Sequence, residues 1–283
     1  MKMAYRRRRN VRRRPRRKRG TGYRKAVARQ IQPAVPRPLK SQLVRMCWQN
    51  RVYWKPTLIS NVQPSLGFTI AVNRPHNLLD NSTFVGNPQE IWCAALGSNG
   101  TMPHLANWAQ LYEHYMVRGC KVTVTFRTEG NSNTNDRSGK LMLIKHSLAN
   151  DVNQSSTYDG IINTSPNFKV SNITASTTSL NQATMSMGYS PSSFHGIKKS
   201  AITANSELKG TFVPGGTYTP PDEDAFISCV YASPFQANTT GAFNMPEGLL
   251  EVKIEQVIEL TDVKQSTVQQ PLGTVIGGTT YYQ

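Results

Sequence analysis

The sequence predicts an all-β fold: an eight-stranded antiparallel jelly-roll sandwich with long loops and one or two short helices, preceded by a disordered basic arm. Three observations predict it. About eight stretches have strand character, and loops rich in Gly, Pro, Ser, Thr and Asn separate them. Regular amphipathic helices do not alternate with these stretches, which argues against a parallel α/β sheet. Basic residues crowd into one end of the chain: residues 1–45 hold 18 of the 33 Lys and Arg, and no acidic residue precedes Asp80. Two packed antiparallel sheets with large connections at their ends accommodate the first two observations. At 283 residues the chain is long enough to bury such a core.

The arm comes first. Residues 1–29 contain fifteen Lys or Arg and offer almost nothing to bury, so the segment repels itself and is expected to be disordered when unbound. Pro33, Pro36 and Pro38 make Ile31–Lys40 an extended spacer. The expected organisation is arm and tether over 1–40, a sandwich over 41–262 and a polar tail over 263–283.

Within the body, SQLVRMCWQNRVYW from Ser41 is rich in Val, Trp and Tyr and reads as a strand, and Gly67–Asn73 as another. The chain then reads as loop from Pro75 to about Met102. His104–Tyr115 is the best helix candidate, because Leu105, Trp108, Leu111, Tyr112 and Tyr115 form one apolar stripe at helical spacing. Tyr115–Arg127 alternates, with Met116, Cys120, Val122, Val124 and Phe126 on one face. Glu129–Gly139 is a polar loop, and Lys140–His146 is apolar on both faces, as a central strand should be. Residues 147–165 read mostly as loop. Phe168–Ile173, Ala183–Tyr189 and Glu207–Val213 are weaker strands; Ala225–Ser233 and Gly248–Leu260 are strong ones. In the last, Leu250, Val252, Ile254, Ile258 and Leu260 alternate with Glu251, Lys253, Glu255 and Glu259.

The candidate binding residues all lie in the arm: Arg6, Arg7, Arg8, Arg9, Arg12, Arg13, Arg14, Arg16, Arg17, Lys18, Arg19, Arg24, Lys25 and Arg29. Guanidinium groups hold phosphate bidentately and stay charged at cellular pH. Such an arm is expected to bind nucleic acid through phosphates, by counterion release, without reading sequence. A solvated tail has no need of charge so concentrated. The same arm suits a nuclear-import receptor, whereas membrane binding lacks large apolar anchors.

Enzyme chemistry finds no foothold in the sequence. No H-E-x-x-H, G-x-S-x-G, G-x-x-x-x-G-K-[ST] or G-x-G-x-x-G pattern occurs, and Cys47, Cys93, Cys120 and Cys229 lack zinc-site spacing. No catalytic residue, metal or cofactor is therefore expected, and the thiols are expected to be free and mostly buried. Asp222, Glu223 and Asp224 follow Pro220-Pro221 and read as a solvated turn sooner than a cation site. Trp48, Trp54, Trp92 and Trp108 read as core or interface anchors. No run of 18 apolar residues spans a membrane, and no apolar segment follows the basic start as in a signal peptide. The six N-x-S/T sequons, at Asn81, Asn99, Asn153, Asn163, Asn172 and Asn238, are read as by-products of polar loops.

Two segments carry a resemblance. MAYRRRRNVRRRPRRKRG (Met3–Gly20) and LYEHYMVRGCKVTVTF (Leu111–Phe126) resemble the capsid proteins of small circular single-stranded DNA viruses, the circovirus-like group. Leu111–Phe126 is similar to the part of such capsids in which a short helix with paired tyrosines runs into a strand. The resemblance implies an icosahedral shell, sixty identical subunits in the simplest case, with inward-facing arms, single-stranded DNA as cargo, and passage into the host nucleus. A host attachment receptor is also implied, and loops such as Glu129–Gly139 and Asn150–Ser165 are candidates to meet it. One departure stands out: residues 46–283 carry 15 basic and 16 acidic side chains, a net of −1. So little charge on the body puts most DNA binding on the arm.

Two other readings fit the residues. The coat protein of a small positive-strand RNA virus has the same design, because phosphate binding does not read the sugar. A cellular nucleic-acid-binding protein with a β-domain would carry the same arm but stay a monomer or small oligomer.

Overall fold

A computed structural model describes residues 40–54, 65–80, 100–129, 137–148, 151–152, 158–175, 181–213, 217–232, 246–264, 274–276 and 279–281. The alternation of Gly248–Val263 sets the pattern of the fold. In this strand, β11, Leu250, Val252, Ile254, Gln256, Ile258 and Leu260 are buried, while Glu251, Lys253, Glu255 and Glu259 face outward. Each buried aliphatic side chain contributes about 1.5–3 kcal/mol relative to exposure. β11 pairs antiparallel along its length with β1 (Ser41–Trp54) on one side and β4 (Tyr112–Thr128) on the other.

The first sheet is completed by β7 (Gln182–Tyr189), beside the second half of β4, and by β8 (Gly210–Val213), beside its start, with β9 (Thr217–Thr219) outside β8. The second sheet has the order β3 (Leu79–Asp80), β2 (Ser65–Ala71), β10 (Phe226–Ala232), β5 (Arg137–His146), β6 (Phe168–Ala175). Every pairing in both sheets is antiparallel. Among the eight main strands, β1 neighbours β11, β2 neighbours β10, β4 neighbours β7 and β5 neighbours β6. This nesting of first with last and inner with inner is one long hairpin rolled up, the jelly-roll topology expected from the sequence.

The core lies between the two sheets. Phe68, Ile70, Leu141, Leu143 and Ile227 of the second sheet meet Val122, Val124, Phe126, Val252 and Ile254 of the first. Trp54 bridges them, with ring centroids 4.7 Å from Tyr231 and 5.8 Å from Phe126. Gln256, polar among aliphatic neighbours, donates from Nε2 to the carbonyls of Val72 (3.0 Å) and Arg74 (3.3 Å), tying β11 to the residues that follow β2.

Several expectations are corrected. The helix expected over His104–Tyr115 is one turn and a little more, α1 (Leu105–Ala109), and β4 starts at Tyr112, because Tyr112 and Tyr115 are held by the ladder to Val263 and Leu260 of β11. Strand pairing thus overrides a short helical stripe. Met116 does not share a face with Cys120: the β4–β11 register shifts at Val257/Ile258, leaving Arg118 as the extra residue of a bulge. Tyr115 and Val117 thereby turn into the main core, while Met116 packs with Ile202 and Leu208 in a separate cluster. Residues 147–165 are not only loop. They include α2 (Tyr158–Thr164), whose Ile161, with Val152, covers Met142, Ile144 and Val230 on the far face of the second sheet. This cover is why β5 and β10 are apolar on both faces. The tail contains two short paired strands, β12 (Thr274–Ile276) and β13 (Thr279–Tyr281), on either side of Gly277-Gly278. One further helical turn, α3 (Pro191–Phe194), is capped by the Ser190 hydroxyl, which accepts from Ser193 N–H.

Candidate assembly surfaces and the buried polar groups

The arm residues predicted to bind nucleic acid, Arg6 through Arg29, lie outside the described residues, as do Cys93, Trp92 and most of the Glu129–Gly139 loop. What the sandwich itself offers can be read strand by strand. On the outer face of the first sheet, Arg45 Nη2 lies 2.9 Å from Glu255 Oε1 and Arg51 Nε lies 3.3 Å from Glu251 Oε2. Lys253 Nζ is 3.4 Å from Glu255 Oε1, and Arg118 binds Glu259 with Nε 2.6 Å from Oε2. Register explains this ladder, since Arg51 sits directly opposite Glu251 and Cys47 opposite Glu255. Among the described residues, Arg45, Arg51, Arg118 and Lys253 are thus answered by β11 carboxylates.

Histidines, to which the sequence assigns no role, form two buried polar clusters. His146 Nδ1 lies 2.7 Å from the Leu148 carbonyl and Nε2 lies 2.7 Å from Ser228 Oγ, which is 2.8 Å from Thr69 Oγ1. A carbonyl only accepts, so Nδ1 carries the proton and Nε2 accepts from Ser228. The pair has the contact of a nucleophile and its base without the access. Ser228 is fully buried, the partner of Nδ1 is a carbonyl and not a carboxylate, and the adjoining recess of about 570 Å³ is lined by His146 but not by Ser228. In the second cluster, His76 stacks on Tyr218 at 4.7 Å, and its Nδ1 lies 3.3 Å from the hydroxyl of Tyr115, which also donates to the Thr219 carbonyl (3.1 Å). Burial, then the neighbouring Arg74, hold the His76 imidazole down to about 4. Burial likewise pushes His146 down and the thiols of Cys120 and Cys229 up.

The acidic trio is more than a solvated turn. Asp224 accepts from Arg74 Nε (3.1 Å) and Nη2 (2.5 Å), and the Glu223 carbonyl accepts from Asn73 Nδ2. Among the described residues no group of three His, Cys, Asp or Glu side chains is arranged to hold a metal ion. Of the described cysteines, Cys120 and Cys229 are buried and Cys47 is exposed.

Cys47 lines a groove at the surface of the first sheet. The groove, of about 620 Å³, runs between β1 and α1, walled by Val44, Arg45, Met46 and Cys47 on one side and Pro103, His104, Asn107, Trp108 and Leu111 on the other, so that it is mostly apolar with a cation already at its rim. The sequence marks the apolar residues of the first strand, but nothing local in it marks that strand as the edge of a sheet.

No protein-family model matches the sequence, and no curated protein matches it. Solved structures similar to the chain include the decameric BFDV capsid protein, at 10% identity and a TM-score of 0.37 over 78% of this chain and 99% of that one. Cocksfoot mottle virus is similar at 10% identity and a TM-score of 0.37, covering 79% of this chain and 97% of that one. The nodavirus of the giant freshwater prawn Macrobrachium rosenbergii is similar at 7% identity and a TM-score of 0.34, covering 80% and 98%.

Proposed function

We propose that this chain is the coat protein of a small virus. Copies of the sandwich associate into a closed icosahedral shell, sixty in the simplest case, and the arginine-rich arms hold single-stranded DNA inside it. The observation that carries this reading is the partition of charge. Residues 1–45 carry 18 positive side chains and no negative one, while the rest of the chain, with 15 basic and 16 acidic residues, is close to neutral. On the outer face of the first sheet Arg45, Arg51 and Lys253 are answered by β11 carboxylates, which supports leaving phosphate binding to the arm. Genome phosphate would neutralise the arms and remove the repulsion that keeps subunits apart, which couples packaging to assembly. The same basic clusters would engage a nuclear-import receptor before assembly, and exposed loops would meet a host attachment receptor.

The test is to express the full chain and image it by negative-stain electron microscopy. Closed particles of uniform size, roughly 200 Å across if sixty such sandwiches tile a shell, are expected. Nucleic acid extracted from those particles should be DNA; RNA would keep the coat-protein reading and change its cargo. Monomers or small oligomers at every salt concentration, with and without added single-stranded DNA, would turn the reading to a cellular nucleic-acid-binding protein.

A further inference from the structure

The edge of β1 and the C-terminal hairpin are two incomplete pieces of sheet. Among the described residues β1 pairs only with β11, and it is the outermost strand of its sheet. Its other edge faces the groove beside α1, because residues from both faces of the strand, Val44 and Met46 on one and Cys47 on the other, line that groove. Leu111, on the opposite wall, is 44% exposed. Among the described residues no strand covers this edge at Val44–Cys47, and such an edge with mostly apolar surroundings is a template for another strand. β12 and β13, in turn, form a two-stranded sheet of their own, and a lone ribbon of two strands is marginal in water without a third.

The chain leaves the sandwich beside the groove. Lys264 donates from its backbone N–H to the Leu111 carbonyl (3.0 Å) and from Nζ to the Ala109 carbonyl (2.7 Å), both on the segment that walls it. Of residues 265–283 none is charged, and they include Val268, Leu272, Val275, Ile276, Tyr281 and Tyr282. An uncharged, β-prone segment suits a mostly apolar slot, whereas the arginine arm would bring further positive charge beside Arg45.

We infer that the C-terminal segment of one copy docks in the β1–α1 groove of a neighbouring copy and adds a strand to the outer edge of its first sheet beside Val44–Cys47. Among the described residues of a single chain the hairpin and the β1 edge are not paired with each other, so each copy presents one tail and one acceptor. Such a contact is heterologous, and repeated around an axis it closes a ring. Main-chain hydrogen bonds supply its affinity, and the groove wall selects the side chains. The inference deepens the assembly reading and rests on it in requiring that copies meet.

Disulfide trapping in the full chain tests it. In a Cys93→Ser background, cysteine is introduced in turn by Thr279→Cys, Thr280→Cys and Tyr281→Cys, so that Cys47 is the exposed partner thiol. Mild oxidation should give covalent dimers and a higher ladder on non-reducing gels from at least one variant. Cys47→Ser should abolish the ladder, and Leu111→Lys should lower its yield about tenfold. A monomer in which both thiols are consumed would overturn the inference in favour of the chain's own tail. Thiols left unreacted in all three variants would remove the tail from the groove altogether. Particle formation by the unmodified chain is read separately: closed particles without the cross-link sink this contact alone, and no particles at all sink the shell.

Discussion

Tyr115 lies directly opposite Gly210 across the β4–β8 pair, and its ring fills the volume that a side chain at 210 needs. A Cβ there would fall 2.1 Å from the ring Cζ. The ring cannot swing aside: it is fully buried, packs 5.0 Å from Phe212, and its hydroxyl is engaged by Thr219 and His76. Gly210→Ala is therefore expected to cost about 1–3 kcal/mol, read as a lower urea midpoint at unchanged m-value; a midpoint equal to the parent's would show that the site relaxes freely. His76 gives a residue-level pH dependence. Its imidazole protonates near 6.5 in the unfolded chain but only near 4 when folded, so the unfolded state binds the extra proton between those values. Stability is present above pH 6.5 and falls as pH drops toward 4, by about 3 kcal/mol from this one group. His146 and His195 are pushed the same way by burial and add to the loss. Unfolding free energies measured from pH 7.5 to 4.5 should fall more steeply for the parent than for His76→Gln; equal slopes would remove His76 from the account.

At the scale of elements, the bulge in β4 separates what the sequence makes legible from what it does not. Alternation locates β11, β10 and β5, since each has its buried residues two apart or buries both faces. Alternation assumes an unbroken ladder, however, and nothing in YMVRGCKV marks where the ladder shifts; the inward turn of Tyr115 and Val117 follows only from the pairing of Ile258 with Val117. The apolar stripe of His104–Tyr115 misleads for a related reason. Its five residues at helical spacing are shared between one helical turn and a strand whose partners lie far along the chain, Val263 opposite Tyr112 and Leu260 opposite Tyr115. Order of strands within a sheet leaves no local trace, so the edge position of β1, and with it the groove, is not legible in the sequence. Of the proposed nucleic-acid site, the arm is legible in the sequence as charge alone. The bulge also makes an ion pair worth testing. Arg118, the extra residue, is held between Glu259 and Thr203, and its side chain is 22% exposed against 13% for Glu259. Arg118→Ala strands a shielded carboxylate and frees the segment that carries Thr203, at an expected cost of about 1–3 kcal/mol. Arg45→Ala breaks a pair whose arginine is 72% exposed and should change stability by less than about 0.5 kcal/mol. Equal losses in thermal or urea unfolding would contradict the distinction.

For the whole molecule, the proposed division of labour between a charged arm and a nearly neutral sandwich predicts that nucleic-acid affinity depends steeply on salt. An arm that neutralises Z phosphates on single strands gives a log–log salt slope of about −0.7Z. Replacing Arg6, Arg7, Arg8 and Arg9 together with Gln removes four charges and should reduce that slope by about 3, at any base sequence tested. Charge removal from the sandwich acts differently. Arg45 and Arg51 already face Glu255 and Glu251, so Arg45→Gln with Arg51→Gln should leave the slope within about one. DNA and RNA of equal length should respond alike to both changes, because the sugar takes no part in a phosphate contact. Filter binding from low to moderate salt with the full chain reads all of this in one series. Should the sandwich variant lose more slope than the arm variant, the genome would be held by the inner faces of the shell and the arms would be left with import or assembly.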